Sequence, residues 1–401
     1  MTEYAPAEDL APLDFSPMFE PLQVRNVRFK NRFVMPGMGR GWNEDGRPLQ
    51  ELTDYYCRRV EGGTALIITE GVAIDHPTAT QVPHYAWVTD ATRDAWAGCA
   101  AAVNAAGGEL FLQLFHEGAI RAEGGDGPYA AYPTVSPSGL AHADRPAGRA
   151  ATTEELGEIR DGYVRSALIA QHVGASGVEV HSAHGYFLDQ FLWAETNRRT
   201  DGYGGDDIRD RVRFPAEIVA AIRDAVGPDF VISLRFSQWK EVNYEAKIAP
   251  TPAELETMIR ILDEAGVDLF HASVRRFWIP EWPGSDWSLA GWVKSFTDKP
   301  VIAVGSVGFD LDVMESLLNR TEANFTGESG FRELVRRFDD GQFDMVSIGR
   351  GQIGDARFVE KLREGRWMDI RPFTRADIRR GDPGGGGGPS IIREAHPEAT
   401  G

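Results

Sequence analysis

GVEVHSAHGYFLDQFLWAETNRRTDGYGG, residues 177–205, is the stretch on which the reading of this chain turns. Val178 to His181 is a short apolar run with β-branched residues, the pattern of a parallel strand buried on both faces. His181, His184 and Tyr186 come straight off its carboxyl end, on backbone eased by Gly185. Any one of them can be a satisfied core or surface residue. Two imidazoles and a phenol clustered at a strand end exceed what a core needs, and they predict a site there.

Similar short apolar runs recur along the chain: Phe33–Met38, Ala65–Glu70, Leu110–Phe115, Phe230–Phe236, Leu269–Ala272, Val301–Val304 and Met345–Ile348. Most of the intervals between them are long enough for a helix. Eight strand-and-helix units predict an α/β fold, a single (β/α)8 TIM barrel rather than an open sheet. Residues 15–375 are assigned to it. Residues 1–14, polar and Pro/Ala-rich, are expected to be a flexible arm, and 376–401, with GDPGGGGGPS from Gly381, a low-complexity, disordered tail.

Helix signals fit the alternation. Thr152 with Glu155 reads as a capping box opening a helix towards Val173, and Thr251 with Glu254 repeats it around Pro252. Arg211 to Val226 carries apolar residues at helical spacing and stops at Gly227-Pro228. Three connections are long: Gly118–Arg149 after strand three, His181–Gly205 after strand four, and the tryptophan-rich Ser273–Trp292 after strand six. Loops after barrel strands build the mouth of the site, so long aromatic ones predict a covered pocket.

Composition removes several classes. With 60 carboxylates against 42 Lys and Arg, the net charge of −18 argues against nucleic-acid or anionic-membrane surfaces. Two cysteines, Cys57 and Cys99, make neither a disulfide scaffold nor a cysteine-ligated cluster. The N-terminus shows no secretory pattern, and no run of about 18 apolar residues offers a spanning helix. A cytoplasmic protein is expected; a homo-oligomer is compatible with the sequence.

Neutral imidazoles at 181 and 184 can donate N–H bonds to a carbonyl or nitro oxygen. With His116, the pair could instead ligate zinc in a barrel hydrolase. That reading lacks carboxylate ligands, because Glu179 is expected to point to the opposite side of its strand from His181's neighbours. Tyr186, a phenol protonated at neutral pH, suits proton donation. Gly305-Ser306 and Gly349-Arg350 end strands seven and eight, where backbone amides and a guanidinium can grip a phosphate. Gln113 and Arg235 are polar residues set into core strands; they serve a structural hydrogen-bond network or face a polar heterocycle.

Together these residues resemble the Old Yellow Enzyme family of FMN-dependent ene-reductases, from about Phe15 to Trp367. HSAHGYFLDQFLWAETNRRTDGYGG is the most specific block; PLQVRNVRFKNRFVMPGM, GTALIITEG, LFLQLFHEG, LRFS, VIAVGSVG and VSIGRGQIGDARFVEKLREG accompany it in order. The resemblance implies that His181 and His184 hold the activating oxygen of the substrate and Tyr186 donates the proton. It implies Gln113 and Arg235 on the isoalloxazine edge, and Gly305, Ser306, Gly349 and Arg350 on the FMN phosphate. Gly37, Met38, Gly39 and Gly71 would line the flavin, and Trp278 the substrate pocket. Gly39 departs from the family, which usually places Thr or Cys there, and Phe115 stands where many members have Trp.

The function so implied is reduction of the activated C=C bond of an enone, enal or nitro compound, with NADH or NADPH as transient reductant. No dinucleotide-binding glycine fingerprint is evident, which fits transient nicotinamide binding. Gly39 keeps open the reverse reaction, ketone desaturation. Zinc hydrolysis and a non-catalytic flavin-binding module are the readings from other classes.

Overall fold

The computed structural model describes residues 12–379, apart from 125, 126, 128, 313, 314 and 317–320. The expected arm and tail therefore lie outside the described residues, except for 12–14 and a final helical turn, Ala376–Arg379. All eight expected strands are present: β1 Phe33–Met35, β2 Leu66–Ala73, β3 Glu109–Phe115, β4 Gly177–His184, β5 Val231–Lys240, β6 Leu269–Ser273, β7 Val301–Val304 and β8 Met345–Ser347. They pair in parallel and in chain order, and β8 closes on β1.

The limits of some strands differ from those expected. β1 stops at Met35 because Pro36 has no N–H to give the ladder. β4 and β5 run on to His184 and Lys240, which pair with each other beyond an irregularity after Ser182. That extension carries the HSAH segment above the barrel rim.

Outside the barrel lie α1 Gln50–Glu61, α2 Arg93–Ala105, α3 Thr153–His172, α4 Ile208–Val226, α5 Pro252–Ala265, α6 Leu289–Phe296, α7 Gly327–Asp339 and α8 Phe358–Arg363. Both capping boxes form: Glu155 N–H donates to Thr152 Oγ1 at 3.2 Å, and Glu254 N–H to Thr251 Oγ1 at 3.3 Å. α4 begins three residues before Arg211, because the Asp207 side chain caps it through the Arg209 N–H at 2.9 Å.

Inside the barrel the alternation of each strand sets the layers. Val34, Leu66, Ile68, Phe111, Val231, Leu269, Ile302 and Met345 fill the amino-terminal end in one apolar cluster. A hairpin pairing Leu22–Val24 with Val27–Phe29 plugs it, adding Val24, Val27 and Phe29 to that cluster. β4 contributes Gly177 at this level: a Cβ there would lie 2.7 Å from the Phe111 ring and 2.6 Å from the Val231 carbonyl oxygen. Burying a side chain such as Phe111 contributes about 1.5–3 kcal/mol.

Candidate active site

One layer up, the interior turns polar. Glu179 is fully buried, and it accepts from Gln113 Nε2 at 2.7 Å, His271 Nδ1 at 2.8 Å and Ser233 Oγ at 3.1 Å. This corrects the expectation that Glu179 points away from His181's neighbours. Residues two apart on a strand share a face, and both belong to the barrel interior. Burial alone would raise the Glu179 carboxyl, but His271, Arg235 and Gln113 outweigh it and hold it at about 2. Burial keeps His271 neutral, so its Nδ1–H is the donor to that carboxylate.

Above this floor opens a cavity of about 330 Å³. His181, His184 and Tyr186 line it together, with ring centroids 5.3 Å apart for the two histidines and 5.1 Å for His181 and Tyr186. Burial, then the Arg235 charge, pushes His181 down to about 3 and His184 well below the usual imidazole range. Both rings are neutral donors at physiological pH. Burial, aided by Glu241, Tyr85 and Glu117, holds the Tyr186 phenol well above its ordinary value, so it stays protonated.

His184 is positioned with care. Its backbone is left-handed, with φ 65°, and Gly185 follows at φ 95°. Its Nε2 lies 2.8 Å from Ser273 Oγ, which also accepts from Arg235 Nη2 at 3.2 Å. A Ser273 hydroxyl that donates to His184 Nε2 would place the His184 proton on Nδ1. Behind the turn, Asp189 accepts from the Gly185 N–H at 2.6 Å and from buried Lys240 Nζ at 2.7 Å.

At the other end of the cavity, Gly305, Ser306, Gly349 and Arg350 meet where β7 and β8 end. Ser306 takes a left-handed φ of 51° and accepts from Arg350 Nη2 at 3.0 Å. Burial pushes Arg350 down only to about 10, so it keeps its charge. A Cβ at Gly305 would collide with the Val274 carbonyl oxygen. Gly37, Met38, Gly39, Gly71, Gln113 and Arg235 line the stretch between. A Cβ at Gly37 would lie 2.7 Å from Gln113 Oε1, whereas one at Gly39 would meet nothing within 4 Å.

These residues fit FMN. Arg235 Nε, Ser347 Oγ and Arg350 Nη1 are buried polar atoms without a hydrogen-bond partner among the described residues, as ring-edge and phosphate oxygens would require. Gln113 and Arg235 could hold the ring; Ser306, Arg350 and the two glycine turns could hold the phosphate.

Two expected residues are placed elsewhere. Trp278 does not line the cavity; it packs on Phe277, ring centroids 5.3 Å apart, and its carbonyl accepts from Arg337 Nη2 of α7 at 2.8 Å. Its loop folds back against the helix layer. His116 does not join His181 and His184: Gly118 N–H donates to its Nδ1 at 2.9 Å, and its Nε2 bonds Thr78 Oγ1 at 2.9 Å. Both ring nitrogens are used, so the zinc triad does not assemble. Among the described residues, no group of three or more His, Cys, Asp or Glu is placed to hold a metal ion. Trp239, Glu241, Ser273 and Ser347 line the cavity without having been singled out in the sequence. Trp239 stacks 4.7 Å from His184.

A closed parallel barrel with this cavity at its carboxyl end has the architecture of a barrel that binds a small ligand at its mouth. The sequence matches the profile of the NADH:flavin oxidoreductase / NADH oxidase family over residues 17–327. It is similar to an NADH oxidase of Thermoanaerobacter brockii, 33% identical over 91% of this chain and 53% of that protein. A 12-oxophytodienoate reductase 7 of Oryza sativa subsp. japonica is 29% identical over 87% and 88%. The solved structure of morphinone reductase with tetrahydroNAD aligns at TM-score 0.73 and 26% identity, covering 90% of this chain and 93% of that one. The chain belongs to this flavin oxidoreductase family, the Old Yellow Enzyme family, whose cofactor is FMN. It spans about half the length of the NADH oxidase and of two further curated relatives. Among the described residues, no helix is long and apolar enough to cross a membrane.

Proposed function

We propose that this protein is an FMN-dependent ene-reductase that uses NADH or NADPH to reduce the activated C=C bond of α,β-unsaturated carbonyl or nitro compounds. The observation that carries the reading is the shared wall of His181, His184 and Tyr186: two neutral imidazoles beside a phenol held in its protonated form. The relatives named as reductases of oxophytodienoate and morphinone support it.

FMN, held by Gln113, Arg235, Ser306 and Arg350, would supply the redox chemistry, hydride transfer between nicotinamide and the β-carbon of the alkene. The protein does the rest. His181 and His184 donate N–H bonds to the carbonyl or nitro oxygen, drawing charge onto it as the bond is reduced. Ser273, donating to His184 Nε2, would keep the proton of that ring on Nδ1 for that task. Tyr186 gives its phenolic proton to the α-carbon and recovers one from solvent. Ser306 and Arg350 would anchor the phosphate, and Arg235 would favour negative charge on the reduced ring.

Product analysis after incubation of the FMN-loaded protein with NADH or NADPH and a panel of enones, enals and nitroalkenes tests this. Saturated products are expected; unchanged alkenes across the panel would sink it. The open space at Gly39 favours one second reading, ketone desaturation. Anaerobic bleaching of the flavin by a saturated ketone, without nicotinamide, would establish it.

A further inference from the structure

A second cavity, of about 270 Å³, lies between α1, the segment after β1 and the chain that follows β8. Arg40, Arg58, Arg59 and Arg371 line it, and Asp377 is the only acid among the described residues that do. In a chain whose net charge is −18, this concentration of positive charge is out of character. Asp377 is committed to Arg371 through bonds of 2.9 and 3.1 Å. Among the described residues, Arg40, Arg58 and Arg59 have no carboxylate partner. Glu70 bonds the Arg40 and Gly41 amides and Asn43, and Asp355 bonds Lys361, so neither acid pairs with their guanidiniums.

Two of these guanidiniums share one phenol ring. The central carbon of Arg59 lies 3.5 Å from the Tyr55 centroid, and that of Arg40 lies 5.2 Å from it and 4.5 Å from the Trp42 centroid. Arg59 donates only to backbone, Nε to the Gln352 carbonyl at 3.1 Å and Nη1 to the Tyr55 carbonyl at 3.2 Å. Arg40 and Tyr55 are 8% and 3% exposed, yet Arg40 Nε and the Tyr55 hydroxyl have no hydrogen-bond partner among the described residues. Burial raises the Tyr55 phenol, so it keeps its proton. Burial, with Arg58 and Arg40 adding to it, brings Arg59 down only to about 10, so it keeps its charge. Like charges held together out of water, beside a hydroxyl with nothing to bond, are costly unless an anion joins them.

We infer that this second cavity is a binding site for a phosphate group, separate from the turns at Ser306 and Arg350. Guanidiniums from α1 and from the segment after β1, with the phenolic O–H between them, offer donors from several sides. A tetrahedral oxyanion can take them all up, whereas a planar carboxylate would leave some unused. Arg40 and Ile353 line both this cavity and the larger one, so the bound phosphate would sit beside the flavin site. The same chemistry has two sources, the 2′-phosphate of NADPH and free phosphate. The site does not depend on which bond the flavin reduces.

Calorimetric titration of the FMN-loaded protein with inorganic phosphate, at low ionic strength, tests this. FMN fills its own phosphate turns, so saturable binding at one further site is expected. Arg59→Gln should weaken it about tenfold or more, and Tyr55→Phe about threefold to tenfold. Tyr55→Phe removes a hydroxyl without a partner, so in the absence of phosphate it should melt no lower than wild type. The rise in Tm that phosphate gives the wild type should shrink in both variants. Adenosine 2′,5′-bisphosphate and 5′-AMP separate the sources. Displacement of phosphate by the bisphosphate alone assigns the site to NADPH, and displacement by neither assigns it to free phosphate. No saturable phosphate binding, or the same affinity in wild type, Arg59→Gln and Tyr55→Phe, would overturn the proposal.

Discussion

The two ends of this barrel are made by the same eight strands and have opposite characters. At the amino-terminal end, the inward residues are Val34, Leu66, Phe111, Val231, Leu269, Ile302 and Met345, sealed by the Leu22–Phe29 hairpin. One or two pleats further along, the same strands present Gln113, Glu179, Ser233 and His271, then His181, Arg235, Ser273 and Ser347. The first end supplies stability, and it offsets the cost of holding unpaired polar atoms at the second. Polar groups are buried at the second end in the geometry a ligand needs, before the ligand is there.

If that division holds, changes at the two ends should separate catalysis from stability. Tyr186→Phe at the cavity should slow alkene reduction by about 10²–10⁴, followed by stopped-flow reoxidation of the reduced flavin. Its unfolding free energy should change by less than about 1 kcal/mol. Phe111→Ala at the sealed end should do the reverse, costing about 3–5 kcal/mol in denaturant unfolding while the folded fraction keeps its FMN. A Phe111→Ala protein that folds normally but has lost its flavin would break the comparison.

Glu179→Gln, between the two ends, should cost about 1–3 kcal/mol at pH 7. Its pH dependence sharpens the point. The folded carboxyl sits at about 2, below the ordinary value of about 4.3, so its contribution is fully present above the latter. That contribution is lost as pH falls through about 2, and the gap between wild type and variant should close there. A gap that stays constant with pH would mean the carboxylate is not ionised in the floor. The smallest effect is expected at the mouth. Gly39→Thr places a Cβ in open space and should alter stability by no more than about 0.5 kcal/mol, while shifting the flavin midpoint potential measurably.

The sealed end was legible in the sequence because strands buried on both faces read as unbroken apolar runs. Their lower boundaries needed little more than that pattern. Much of the cavity was legible too, because glycines and charged residues at strand ends stand out. Glu179 was misplaced although simple alternation puts it on the face of His181. Trp239 and Glu241 could not be placed that way, since β4 and β5 continue past an irregularity that breaks their alternation. Trp278 misled for another reason: an aromatic-rich loop looks the same in sequence whether it covers a pocket or packs on a helix.

The central claim is that the carboxyl-end cavity binds FMN and reduces an alkene that His181 and His184 polarise. The most direct test is anaerobic: reduce the FMN-loaded protein with stoichiometric NADH or NADPH, then add 2-cyclohexenone. The account predicts that the oxidised-flavin absorbance returns as cyclohexanone forms, and that it returns far more slowly in Tyr186→Phe. A protein that purifies without flavin, or whose reduced flavin persists in excess enone, would contradict it.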